Sequence, residues 1–411
     1  MAFKKEGLVE SIFTRPPSQK RKSSPLFRSF PAIKPSSSFS REALISGVKV
    51  DKRFAIGLDI GPSLVKWVQL GAVGGKTCLI KAGCAPLEFT GISEDKQKEA
   101  AGVQLRQIAA QYFLSSPVVL SFPLEEVNLK VFRIPPVSEE ELESAVRWQL
   151  EQTFSAQTKY EDLSVDSVFL EGLSTEKERR VLVATVPRHR ILSLLTQAGQ
   201  AGLGPVLAIE IDSFAVASAF ARQGIFESGK TDLLLYLGGR RSSMSVIVQS
   251  QVVFSRPLPV KGAGLTNAVS DFCRVPRTDA EQLKQTYGLA GTAAPTSKLL
   301  TETDQNQAHL VAQALSSPME NLFVEIVHSF KSFSYQIGQS LVQQFDRVLL
   351  CGSMSGLPGI ASYLETRFGV PVKTVDLLEN IPSLPGQKKP EAAVKYHLEV
   401  AAGLARGEMS A

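Results

Sequence analysis

The sequence has no long apolar run. A helix needs about 20 consecutive apolar residues to cross a bilayer. The strongest stretches, around Asp232–Leu237 and Arg347–Leu350, are far shorter and read as buried strands. Cysteine is scarce: Cys78, Cys84, Cys273 and Cys351 form no Cys-x-x-Cys pair, and the four histidines are scattered. That pattern excludes a metal cluster of ordinary spacing and a disulfide framework, and it fits a reducing cytosol. No Gly-x-x-x-x-Gly-Lys-Ser/Thr run occurs, so a Walker phosphate loop is excluded. The serines of Ser242–Ser245 have no His/Asp signature beside them, so nucleophilic catalysis has no support. Met1–Phe13 mixes charges into its apolar residues and does not read as a secretory signal.

Basic charge is also missing from most of the chain. The net charge is +5, but residues 1–53 hold 12 Lys/Arg against 4 Asp/Glu, which is +8 and leaves −3 for the remainder. The larger part therefore has no bias toward nucleic acid. Residues 1–52 are rich in Ser, Pro, Lys and Arg and read as a disordered basic tail, because such composition cannot bury enough apolar surface to offset ordering entropy. A solvated tail, an anionic-membrane contact and a partner arm are all compatible with it.

What is present suffices for two or more cores: 411 residues, 44% hydrophobic. Order is expected from Phe54. Phe54–Ile60 reads as a strand ending at Gly61, followed by strands at Leu64–Leu70 and Thr77–Ala82 and a helix over Asp95–Phe113. The pattern returns downstream: Asp232–Leu237 ends at Gly238-Gly239, then come Ser243–Gln249, Val252–Leu258 and a helix near Leu265–Cys273. Two copies of one β-β-β-α unit predict a duplicated α/β fold with a cleft between the halves. Between them, strands at Val118–Phe122 and Asn128–Ile134, a helix over Ser138–Phe154, strands at Asp162–Leu170 and Arg180–Val186 and a helix from His189 predict a small inserted module. Ser138 and Glu141 match a capping box, and Leu142, Val146, Leu150 and Phe154 form an apolar stripe on which Trp148 is expected to join the core. Pro318–Val342 is expected as one long helix and Glu391–Leu404 as the last.

Gly57-Leu58-Asp59-Ile60-Gly61 places a carboxylate at the end of a buried strand before a sharp turn. Turn amides facing one space bind phosphate oxygens; Asp59 is the candidate for a divalent cation held through water. Lys66, on the next strand, is placed to reach back toward a phosphate. Glu210 and Asp212, at a strand end, read either as metal-side acids or as helix-capping acids.

Several segments together carry a resemblance. Gly57–Gly61 with Val65-Lys66, Pro136–Gln152, Leu265-Thr266 with Asp279–Lys284, Leu349–Gly352 with Leu357–Ile360, and Gly403–Arg406 resemble, in order over residues 54–406, the PilM family of pilus-assembly proteins, relatives of FtsA in the actin-like superfamily. The resemblance implies duplicated ribonuclease H-like (actin/Hsp70-type) domains with an SHS2-like insert. The boundaries expected are a first half at 53–115 and 205–229, an insert at 116–204, a second half at 230–378, and a C-terminal segment 379–411 packing back on the first half. It implies ATP and Mg2+ held by Asp59, Gly61, Ser63, Lys66, Gly238, Gly239, Thr266 and Gly352, with Asp59 on the metal. It implies no catalytic residue of its own making. The partner implied is the cytoplasmic tail of a PilN-like inner-membrane protein, together with other platform components, at the inner face of the cytoplasmic membrane. An active actin-like ATPase and an FtsA-like filament protein are the alternatives. Departures weigh against turnover: Tyr236 stands where the family's second phosphate motif has an acid, Arg240 and Arg241 follow, Ser353-Met354 interrupts a glycine run, and Pro62 replaces a serine. Nucleotide binding without efficient hydrolysis and complete loss of the site both remain open on these residues.

Overall fold

The computed structural model describes residues 43–45, 48–50, 52–89, 94–153, 159–175, 177–289, 302–338, 342–384, 390 and 392–407. Most of the basic tail, 1–42, lies outside them. Its last stretch departs from the expectation of disorder: β1 (Ala43–Ile45) pairs antiparallel with β2 (Val48–Val50). The apolar, β-branched residues Ile45, Val48 and Val50 favour a pleated pair over a solvated coil.

The chain divides into two units, one running to Ile225 and resuming at Leu377–Val394 and from Leu398, the other comprising Phe226–Asp376 and Lys395–His397. In the first unit, β3 (Lys52–Ile60), β4 (Leu64–Val73) and β5 (Lys76–Pro86) form an antiparallel meander. Helix α1 (Glu94–Gln111) follows, and β6 (Val118–Phe122) returns parallel to β3. The chain then leaves this sheet for β7 (Asn128–Ile134), α2 (Leu142–Thr153), β8 (Leu163–Phe169), β9 (Arg179–Pro187) and α3 (Arg188–Gln200). It comes back with β10 (Val206–Ile211), parallel to β6, and α4 (Asp212–Arg222). The main sheet has the order β10-β6-β3-β4-β5 and the inserted one β7-β9-β8.

The second unit holds β11 (Thr231–Leu237), β12 (Ser242–Val248), β13 (Gln251–Pro257), α5 (Gly262–Cys273), α6 (Arg277–Tyr287), α7 (Glu302–Ile337), β14 (Arg347–Cys351), α8 (Ile360–Phe368) and β15 (Val372–Thr374). Its sheet order is β13-β12-β11-β14-β15, with β14 parallel to β11 and β15 parallel to β14. Reading each sheet from its third strand gives one and the same order, so the duplication holds at the level of topology. The last helices are α9 (Ala392–Lys395) and α10 (Glu399–Gly407). The single helix expected over Glu391–Leu404 is thus interrupted at Tyr396–Leu398, and residue 391 lies outside the described residues.

One boundary moves. Val118–Phe122, expected to open the insert, is a strand of the main sheet, flanked by β3 and β10. All five of its residues are buried, as a central parallel strand requires on both faces. The insert proper begins with β7, whose exposed and buried residues mix in the manner of a one-sided edge strand. Its core joins Phe132, Ile134, Phe169, Val181 and Val183 of the sheet to Leu142, Val146 and Leu150 of α2. The capping box forms: the Ser138 N–H donates to the Glu141 carboxylate at 2.9 Å, and the Glu141 N–H to Ser138 Oγ at 3.3 Å.

Trp148 is not in that core; it is 59% exposed. The physical reason is its phase. It lies two residues from both Val146 and Leu150, which turns it about 200° away from the buried stripe. The long helix also differs, starting at Glu302 and passing through Pro318. A proline inside a helix costs roughly 3 kcal/mol in a lost hydrogen bond and a clash. The buried residues Val311, Leu315, Met319, Leu322 and Ile326 keep helical spacing across it, and their burial outweighs the break.

Within the first unit, α10 packs against β3 and α4 at backbone distance. A Cβ on Gly57 would lie 2.0 Å from the Ala401 carbonyl oxygen, and one on Gly403 would lie 2.5 Å from that of Ala215. Only glycine permits these approaches.

Candidate functional site

In the first unit the β3–β4 hairpin sets Asp59 directly across from Lys66. Cross-strand partners on one face meet closely, and Lys66 Nζ lies 2.5 Å from Asp59 Oδ2. From β6, Ser121 Oγ donates to Asp59 Oδ1 at 2.8 Å. Asp59 is 2% exposed. The carboxylate and the lysine singled out in the sequence are therefore brought together, as an ion pair completed by a serine that sequence reasoning missed. Ser121 lies 62 residues away, and only strand pairing brings it near. Cys84, across from Lys66 on β5, has its thiol pushed up by burial, partly countered by the Lys66 charge.

The turn itself is tight. The Gly61 N–H donates to the Leu64 carbonyl at 2.9 Å, Pro62 has no N–H to offer, and the Ser63 carbonyl accepts from the Leu87 N–H at 2.9 Å. Of the two other acids, Asp212 Oδ1 accepts the N–H groups of Leu124, at 3.2 Å, and Ser213, at 2.8 Å. Asp212 is the first residue of α4, whose N-cap Ile211 makes no side-chain cap bond, so it ties the start of the helix to the backbone at Leu124 rather than capping it. Glu210, across from Ser121, is buried within electrostatic reach of Arg222.

In the second unit the β11–β12 hairpin carries Tyr236 where β3 carries Asp59. Tyr236 is 9% exposed, and its ring covers Gly238, where a Cβ would lie 3.1 Å from it. The Gly238 N–H donates to the Arg241 carbonyl at 3.0 Å. The hairpin is laced to its neighbours. The first amides of α5 are engaged by its carbonyls, Gly262 N–H to Gly238 at 3.0 Å and Ala263 N–H to Gly239 at 2.9 Å. Gly352, with φ +90°, follows β14, and a Cβ there would lie 2.6 Å from the Leu237 carbonyl oxygen. The Met354 N–H donates to that same carbonyl at 2.9 Å, and the Met354 side chain lies against Gly262.

Thr266 sits one turn into α5 and belongs to a polar cluster with α6. Lys284 Nζ donates to Thr266 Oγ at 2.8 Å, to Glu281 Oε2 at 2.7 Å and to the Gly262 carbonyl at 3.2 Å; Thr266 Oγ also bonds Glu281. Lys284 is 6% exposed. Burial alone would raise the Glu281 pKa, but bonds from Lys284 and Thr266 and the lysine charge hold it below the ordinary carboxylate range. Glu281 and Lys284 were visible in the sequence only as part of a resemblance; their spacing of three puts them on one helical face, a signal that could have joined them to Thr266. Among the described residues no group of three or more His, Cys, Asp or Glu side chains is arranged to hold a metal ion.

The family described as type IV pilus assembly protein PilM matches residues 57–408. The chain belongs to the PilM family. Among solved structures, a PilM–PilN type IV pilus biogenesis complex is similar at TM-score 0.67 and 22% identity, covering 86% of this chain and 98% of that one. This establishes the actin-like fold that the resemblance implied. More remote likenesses include MreB5 of Spiroplasma citri bound to AMPPNP, at TM-score 0.47 and 15% identity over 87% of this chain and 96% of that one. Another is the ethanolamine utilization protein EutJ from Carboxydothermus hydrogenoformans, at TM-score 0.43 and 12% identity over 86% of this chain and 89% of that one. No curated protein is matched. Among the described residues, no helix of this PilM-family chain is long and apolar enough to cross a membrane.

Proposed function

We propose that this PilM-family chain is a docking scaffold of a type IV pilus or a related secretion or competence machine. It binds the cytoplasmic tail of a PilN-like protein and is held through that partner at the inner face of the cytoplasmic membrane. The observation that carries the reading is the family match over residues 57–408, which spans both halves and the insert. The similar structure is of a PilM bound to PilN, and the small α/β insert, read as an SHS2-like module, supports the same assignment.

The nucleotide chemistry of the fold is, in this proposal, vestigial. Phosphoryl chemistry needs a metal-neutralised phosphate and a positioned water. Asp59 is neutralised internally by Lys66 and Ser121, Tyr236 replaces the second acid, and the α5 amides are engaged by Gly238 and Gly239. These residues do not fit a magnesium-nucleotide complex as they stand. Any residual affinity is assigned to Asp59, Gly61, Ser63 and Lys66 in one half and to Gly238, Gly239, Thr266 and Gly352 in the other.

The test uses the purified full chain and the detergent-solubilised PilN-like protein of the same cell. Co-elution that disappears when the partner's cytoplasmic N-terminus is deleted is the expected result. Co-elution that survives the deletion, or none at all, overturns the proposal.

A further inference from the structure

The exposed face of α2 is chemically unlike the rest of the insert. Trp67 is buried at 3% exposure, whereas Trp148 is 59% exposed on a helix whose other large apolar residues face the sheet. Residues three and four positions away share its side; of these Ser144, Glu151 and Gln152 are exposed, while Ala145 packs against the insert's core. Between positions 138 and 162 the chain carries seven carboxylates against only Arg147 and Lys159, a net −5. Arg147 is already engaged, by Glu151 at 2.9 Å and Glu161 at 2.7 Å, and its guanidinium stacks on Tyr160 at 4.8 Å. The face therefore offers one bare indole set in negative charge.

The complementary chemistry is on this same chain. Residues 11–41 contain seven Lys/Arg and no Asp or Glu. Within them, Lys20, Arg21, Lys22 and Arg28 are interleaved with Leu26, Phe27 and Phe30. Cations and aromatic rings are what an exposed indole in an acidic setting binds, through ring contact, cation–π attraction and Coulomb attraction. Phe30 lies thirteen residues before Ala43 of β1, and that many residues span up to about 45 Å when extended.

We propose that the Trp148 face of α2 docks this chain's own basic segment Lys20–Phe30, within one molecule. The contact is electrostatic in large part, so salt releases it.

The experiment is zero-length carbodiimide cross-linking of the full chain, read by mass spectrometry on the monomeric product, with iodide quenching of tryptophan emission alongside. The expected result is cross-links from Lys20 or Lys22 to α2 carboxylates. They are lost in the W148A/E140K variant and in molar salt; a K20E/R21E/K22E tail variant is compared by quenching alone. Quenching is expected to rise in the tail variant and not in W148A. Absence of such cross-links with quenching unchanged by the tail variant overturns the proposal. Cross-links confined to dimers overturn it in favour of a second copy. Binding of the segment to phosphatidylglycerol vesicles with Trp148 equally quenched in both chains overturns it in favour of a membrane surface.

Discussion

Asp59 and Lys66 form an ion pair that is largely removed from water. Replacing one member of a buried pair leaves the other charge uncompensated and costs about 3 kcal/mol. Asp59→Asn and Lys66→Met are each expected to destabilise the first unit by that order, read as a lower urea midpoint. The double variant is expected to recover most of the loss, since the uncharged Asn–Met pair has no stranded charge. Additive losses in the double variant would mean that the two side chains do not act on each other. Their closeness was legible in the sequence, seven residues apart around a glycine turn, but their pairing was not, since Lys66 was expected on a phosphate and Asp59 on a cation. Ser121 was not, because a partner across a parallel strand leaves no local signal. Trp148 was misjudged for a different reason: an aromatic beside an apolar stripe looks like core until its helical phase is counted.

Glu281 gives a pH dependence at the same scale. Its folded pKa is depressed by Lys284 and Thr266, so its contribution is present above the unfolded carboxylate value, about 4.3, and is lost as pH falls through the depressed value. Stability measured against pH should therefore show an acid limb that Glu281→Gln flattens. An unchanged acid limb in that variant would show that the cluster does not couple to folding.

At the scale of elements, glycine positions separate close packing from open surface. Gly57→Ala forces a Cβ onto the α10 backbone and is expected to cost at least about 1–3 kcal/mol. Gly102, in α1 with nothing within 4 Å of its Cβ position, should gain about 0.5–1 kcal/mol as alanine. Thermal midpoints of the two variants check both signs at once; a tolerated Gly57→Ala would contradict the packing of α10 on β3. The strand hairpins were readable from runs of β-branched residues and turn glycines. The passage of α7 through Pro318 was not, because local breaker chemistry is overridden there by an apolar stripe that only the packed helix reveals. Likewise Val118–Phe122 reads as a strand, but its membership of the main sheet is a matter of pairing rather than composition.

At the scale of the molecule, one topology is used twice, and the two copies differ at the end of the leading strand. The first keeps an acid at the end of its leading strand; the second carries Tyr236 and closes its hairpin onto α5. The duplication was legible from the repeated β-β-β-α pattern and the replaced acid from a single position. The lacing of Gly238 and Gly239 to Gly262 and Ala263 was not legible, since backbone bonds between distant loops have no side-chain signature. We propose that this PilM-family chain keeps an actin-like fold without ATP turnover. Steady-state phosphate release by the purified full chain with magnesium and ATP tests it most directly. The predicted rate is no higher than that of the Thr266→Ala and Asp59→Asn variants; magnesium-dependent release that both variants abolish would contradict the account.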